Sequence, residues 1–87
     1  MARVLSIHKQ AFDDILYFSK TDLKIVKKIF ELIEDIQKTP FEGIGKPEPL
    51  KHQLKGAWSR RISLEHRLVY LITDYEIVIL ACRHHYS

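Results

Sequence analysis

A chain of 87 residues with 46% apolar and 29% charged side chains has room for one hydrophobic core and one domain, residues 1 to 87, and none for a separate cofactor-binding domain. This balance excludes fibrous, low-complexity and intrinsically disordered classes, and no stretch approaches the roughly 20 apolar residues of a membrane span. The net charge of +3 is unevenly placed: residues 1 to 45 carry equal numbers of acidic and basic side chains, so the whole excess, with four of the five histidines, falls in residues 46 to 87, the half expected to meet a polyanion.

Val4, Leu5, Ser6 and Ile7 alternate in the manner of a short strand. From Lys9 to Ser19, the three- and four-residue spacing of Phe12, Ile15, Leu16 and Ser19 predicts an amphipathic helix resting on those residues. Thr21 or Asp22 caps a second helix over residues 22 to 38. Its spacing turns Ile25, Val26, Ile29, Phe30, Leu32, Ile33 and Ile36 inward and Lys24, Lys27, Lys28, Glu31, Glu34, Asp35 and Lys38 mostly outward. Pro40 ends it, and the short joint makes the pair an antiparallel helical hairpin. Residues 40 to 49, Pro-Phe-Glu-Gly-Ile-Gly-Lys-Pro-Glu-Pro, gather all three prolines and two of the three glycines and read as a loop. Strand-like runs follow at about residues 57 to 63, 66 to 73 and 76 to 83, joined at hairpin length by Leu64-Glu65 and Asp74-Tyr75. The expected fold is α+β: a mainly antiparallel four-stranded sheet of the N-terminal strand and this meander. The helical hairpin packs on one sheet face, because each element has one apolar side to bury; the other face is left for binding.

Pro47-Glu48-Pro49 sets a carboxylate on stiff backbone, since each proline fixes its own φ and Pro49 holds Glu48 extended. A catalytic base benefits from that stiffness; a solvated surface glutamate is the plainer alternative. Lys51 and His52 follow closely. Arg60 and Arg61 point to opposite sheet faces. An odd-numbered link to the next strand would set Arg61 opposite Arg67, an arrangement suited to a phosphate held between them, whereas a two-residue link would not; pairing with Glu65 or Glu76 is the alternative. On a regular last strand Arg83 and His85 share one face, with His84 and Tyr86 on the other. Adjacent histidines on a strand diverge and no second cysteine completes a ligand set, so no metal site is expected. Phe41, Trp58 and Tyr86 are candidates to stack on unpaired bases, with the core as the alternative for Trp58. Cys82, the only cysteine, reads as a buried strand thiol and fits a reducing compartment, the cytoplasm by default. The opening residues lack the apolar run of a secretory signal.

Together, Thr39-Pro-Phe-Glu-Gly-Ile-Gly-Lys-Pro-Glu-Pro-Leu-Lys-His, Trp58-Ser-Arg-Arg-Ile, Glu65-His-Arg-Leu-Val-Tyr and Ala81-Cys-Arg-His-His-Tyr resemble the YoeB (Txe) toxins, of the RelE-like group of bacterial toxin–antitoxin modules. The resemblance is collinear over almost the full chain and includes Ile25-Val-Lys-Lys-Ile in the second helix. It implies a RelE-like fold and an endoribonuclease that cuts messenger RNA in the ribosomal A site. It further implies no metal or cofactor, restraint by a small cognate antitoxin of the YefM type, and, in many members, a homodimer. Position by position, it implies Glu48 as general base, His85 as general acid and Arg67 as the phosphate-stabilising residue. Lys51, His52, Arg61, Glu65 and Tyr86 match further active-site positions. Two departures are His84, where relatives commonly carry tyrosine, and Ser87, beyond the usual His-Tyr ending.

RNA can be cut without metal because its 2′-hydroxyl lies beside the scissile phosphate, so an enzyme need only move protons and stabilise charge. The product end would be a 2′,3′-cyclic phosphate. The alternative from another class is a non-catalytic basic module that binds RNA or a protein partner. It would explain the basic half without requiring Glu48 or His85.

Overall fold

The structure, a computed structural model, describes residues 2–51 and 56–84. Its elements in chain order are β1 (Val4–Ile7), α1 (Lys9–Thr21), α2 (Leu23–Lys38), β2 (Glu48–Pro49), β3 (Ala57–Arg61), β4 (Arg67–Ile72) and β5 (Glu76–Ala81). The strands form one mixed sheet in the order β1-β5-β4-β3-β2. β1 runs parallel to β5, and the remaining pairings are antiparallel. The core lies between the helices and one sheet face, where Phe18, Ile29, Leu32 and Ile36 meet Leu68, Tyr70, Ile77 and Ile79. Burying each such side chain stabilises the fold by about 1.5–3 kcal/mol. Among the described residues no helix is long and apolar enough to cross a membrane.

The α+β class and the helical pair on one sheet face agree with the sequence reading, but the sheet has five strands where four were expected. The extra one, β2, pairs Glu48 with Ser59 and Pro49 with Trp58, and two residues are too few to show an alternating pattern. Leu50 N–H donates to Ala57 O at 2.9 Å, which puts Pro49 at the neighbouring non-hydrogen-bonded position. Its missing N–H therefore removes nothing from the ladder.

Asp22 alone separates the helices. Its N–H donates to Phe18 O at 2.7 Å, closing α1, while its carboxylate accepts Lys24 N–H at 3.1 Å and opens α2. α1 is rotated from its expected phase: Ala11, Asp14 and Phe18 are buried and Ile15 packs beside them, whereas Phe12 and Leu16 are 57% and 43% exposed. A polar anchor accounts for the rotation, since buried Asp14 accepts Cys82 N–H at 2.9 Å and Gln10 Nε2–H at 2.9 Å. α2 buries Ile29, Leu32, Ile33 and Ile36 as expected, but Phe30 is 53% exposed.

The link between β3 and β4 runs from Ile62 to His66, longer than the two residues expected. Ser63 Oγ accepts the N–H groups of Glu65 and His66, and His66 O accepts those of Ile62 and Ser63. These local bonds replace the ladder and stop both strands early. The next hairpin turns at Asp74-Tyr75, where Thr73 Oγ1 accepts the N–H groups of Tyr75 and Glu76.

Candidate functional site

A buried arginine positions the loop that leads to Glu48. Arg60 lies fully buried on the helix side of β3, and Arg61 is exposed on the other side. Arg60 Nη1 meets Asp35 Oδ2 at 2.5 Å and donates to Ile44 O at 3.2 Å; Nη2 donates to Thr39 O at 2.6 Å and Glu42 O at 3.0 Å. Its Nε donates to the Tyr70 hydroxyl at 3.1 Å, which in turn donates to Pro40 O at 2.7 Å. One planar guanidinium thus satisfies carbonyls of a loop that lacks regular partners, a pattern that lysine's single ammonium does not reproduce.

Asp35, expected to point outward, turns into this network. The Arg60 guanidinium, helped by Ile44 N–H at 3.0 Å, holds its carboxyl below the usual carboxylate range, while burial pushes the Tyr70 hydroxyl up. Gly43 has φ +126°, and a Cβ there would fall 2.1 Å from Asp35 Oδ2, so only glycine lets the loop close over the ion pair. Arg61 N–H then donates to Gly45 O at 2.6 Å, and the chain continues into β2.

Strand register places the sequence-predicted residues. Glu48 sits opposite Ser59, and Arg61 sits opposite Arg67, the odd-link arrangement. Because alternate residues share a sheet face, Glu48, Arg61 and Arg67 belong together on the face away from the helices, with buried Ser59 and Val69 beside them. Ordinary sheet spacing puts the Glu48 Cα about 8 Å from that of Arg61 and about 12 Å from that of Arg67. Arg67 is largely buried, and its Nη1 donates to Ser63 O at 2.7 Å and His66 O at 3.2 Å. Turn carbonyls therefore fix its charge. Among the described residues neither arginine has an acidic ion-pair partner; Glu65 Oε2 lies 3.9 Å from His66 Nε2, and Glu76 accepts from Ser6 Oγ at 2.6 Å.

Lys51 is exposed just beyond β2. Exposed Glu65 lines a groove between the β3–β4 turn and the helices, shared with Tyr17, His66 and Arg83, instead of the sheet face that holds Glu48. Trp58 takes its core alternative, packing against the cluster and lying 5.1 Å from the ring of Phe41, which stays half exposed. His52, His85 and Tyr86 lie outside the described residues. Among the described residues no three His, Cys, Asp or Glu side chains gather as metal ligands.

β5 stops at Ala81, so Arg83 does not follow a regular strand; its guanidinium lies 3.6 Å from the centre of the Tyr17 ring on α1. Cys82 is buried, and burial followed by the nearby Asp14 charge pushes its thiol up to about 12, which makes it a poor nucleophile. His84 has φ +68°, a left-handed conformation that costs an L residue about 1–2 kcal/mol. Its N–H donates to His66 Nδ1 and its carbonyl accepts Arg67 N–H, each at 2.9 Å. The sequence reading gave Asp14 and His66 no role. For Asp14 a signal existed, since Ala11, Asp14, Ile15 and Phe18 form a second stripe at helical spacing; for His66 none did.

A family model described as the YoeB-like toxin of bacterial type II toxin-antitoxin system matches residues 7–86. The chain is 63% identical to toxin YoeB of Escherichia coli (strain K12) over 78 residues, 90% of this chain and 93% of that protein. The solved YoeB dimer from Staphylococcus aureus superposes with a TM-score of 0.89 at 48% identity, covering 99% of this chain and 100% of that one. The YoeB-YefM complex from Staphylococcus aureus contains a chain that superposes with a TM-score of 0.86 at 47% identity, covering 99% and 100%.

Proposed function

The chain belongs to the YoeB-like toxins of bacterial type II toxin-antitoxin systems, and from that membership we propose that it is a metal-independent endoribonuclease that cleaves messenger RNA in the ribosomal A site. Glu48 takes the 2′-hydroxyl proton, the freed oxygen attacks the adjacent phosphorus, and His85 protonates the departing 5′-oxygen. The products are a 2′,3′-cyclic phosphate and a 5′-hydroxyl end. Arg67 and Arg61, with Lys51, offset the charge that builds on the phosphate, a task suited to guanidinium because it stays ionised. His52, Glu65 and Tyr86 serve as further contacts to the RNA.

The observation that carries this reading is the register that puts Glu48, Arg61 and Arg67 on one sheet face away from the helices. A carboxylate on an edge strand that shares its sheet face with two opposed arginines, neither with an acidic partner among the described residues, suits a bound phosphodiester. The structures of the Staphylococcus aureus relative, as a dimer and with YefM, support two partners here: a second copy of the chain and a small YefM-like antitoxin. All of this takes place in the cytoplasm.

The test uses purified wild type and Glu48→Gln on translating ribosomes, with mapping of messenger ends and of their terminal phosphates. Wild type is expected to leave cyclic phosphate ends, and Glu48→Gln to lose most cleavage. His85→Ala should slow the step by about 10²- to 10⁴-fold. A Glu48→Gln protein that cuts as well as wild type would remove Glu48 from the mechanism; a wild type that binds ribosomes yet leaves messenger intact would favour a non-catalytic binding module.

A further inference from the structure

We propose that His66 is a positioning residue: its Nδ1 takes the backbone N–H of His84 and thereby fixes the backbone of the residue that precedes His85. This rests on the reading of His85 as the general acid.

The imidazole is itself held firmly. His66 closes the β3–β4 turn, donating its N–H to Ser63 Oγ at 3.1 Å and accepting the N–H groups of Ile62 and Ser63 on its carbonyl. Its ring packs edge-on against Phe18 of α1 at 5.0 Å and lies 6.0 Å from the ring of His84. A side chain only 13% exposed and wedged between these rings has little room to swing. From that fixed position Nδ1 accepts His84 N–H at 2.9 Å, and the next residue, Arg67, donates its own N–H to His84 O at 2.9 Å.

Two consecutive residues thus clamp both backbone polar groups of His84. That clamp explains why a residue bearing a Cβ keeps φ at +68°, a state that persists only where the surroundings impose it. Upstream, Asp14 holds Cys82 N–H, so Cys82 is held from α1 and His84 from the start of β4. Arg67 contributes twice, supplying the phosphate-stabilising cation by its side chain and holding the His84 carbonyl by its backbone. A small change in the aim of a proton donor slows its step without changing how tightly substrate binds.

The test compares His66→Leu, which fills the space without an acceptor, with His66→Asn, which restores an acceptor at the δ position. On translating ribosomes His66→Leu is expected to lower kcat by about 10- to 100-fold with KM unchanged, and His66→Asn to recover most of it. Amide exchange at residue 84 is expected to quicken in His66→Leu and to slow again in His66→Asn. If His66→Leu does not fold, His66→Gln, whose acceptor sits one position too far out, replaces it with the same lowered kcat expected. Wild-type kcat in the variant lacking the acceptor, or an Asn variant no better than it, overturns the proposal. A wild type inert on messenger RNA would sink the nuclease reading instead, and the residue 84 exchange rates would still decide whether His66 holds the chain.

Discussion

Arg60 grips the loop before Glu48 through five partners at once, namely Asp35, Thr39 O, Glu42 O, Ile44 O and the Tyr70 hydroxyl. The chain before His85 is held differently, by separate bonds from Asp14 to Cys82, from His66 to His84 and from Arg67 to His84. In the first region all the bonds share one side chain and fail together; in the second each has its own donor and acceptor and fails alone. Glu48 is therefore expected to follow a segment that is either formed or lost, and residues 82 to 84 to form one that loosens by degrees.

The largest test of this contrast is Arg60→Met, which leaves Asp35 and three loop carbonyls without their partner. Chemical denaturation is expected to show a loss of about 3–5 kcal/mol. A variant as stable as wild type would mean the loop is held by something other than the guanidinium. Asp14→Ala strands the buried Cys82 N–H and should lower stability by about 1–3 kcal/mol, with Asp14→Asn recovering part of it; if amide exchange at residue 84 quickens as much as at residue 82, the two holds are not independent. Tyr70→Phe removes one contact of the Arg60 network and the bond to Pro40 O, for about 1–2 kcal/mol by thermal or urea melting. An effect as large as that of Arg60→Met would move the centre of the network from Arg60 to Tyr70.

The smallest expected effect appears in acid. Asp35 is held below its ordinary 3.8 by Arg60, so its contribution is complete above about pH 4, where the unfolded carboxyl is ionised, and fades as pH falls through the lower folded value. The stability gap between wild type and Asp35→Asn should narrow over that acid window. A gap that stays constant would show that the pair adds no pH-dependent stability.

Much of the fold was legible because it is written in periodicity and punctuation. The second helix, the Asp22 cap, the proline-rich loop and the Asp74-Tyr75 hairpin all follow from spacing and turn chemistry. What was missed involves polar residues that satisfy distant backbone. Asp14 took the inward position on α1 because Cys82 N–H needed an acceptor, and Asp35 turned inward because Arg60 did; hydropathy assigns both carboxylates to solvent. Alternation separated Arg60 from Arg61 but could not say which one faced the helices. For the site, sequence supplied the residue types and an either-or on register, and the Ser63 turn settled that Arg61 and Arg67 are opposed.

The parallel pairing of β1 carries a consequence for how the molecule is assembled. Among the described residues Val4–Ile7 has one partner, β5, whose paired residues lie about 70 positions further along the chain, so nothing local holds it while the intervening sequence is being made. A product cut short before Glu76 would leave this apolar segment, with Val4 64% exposed even in the finished protein, as an unpaired template for other strands. Interrupted synthesis should then yield insoluble fragments in place of a weakened toxin.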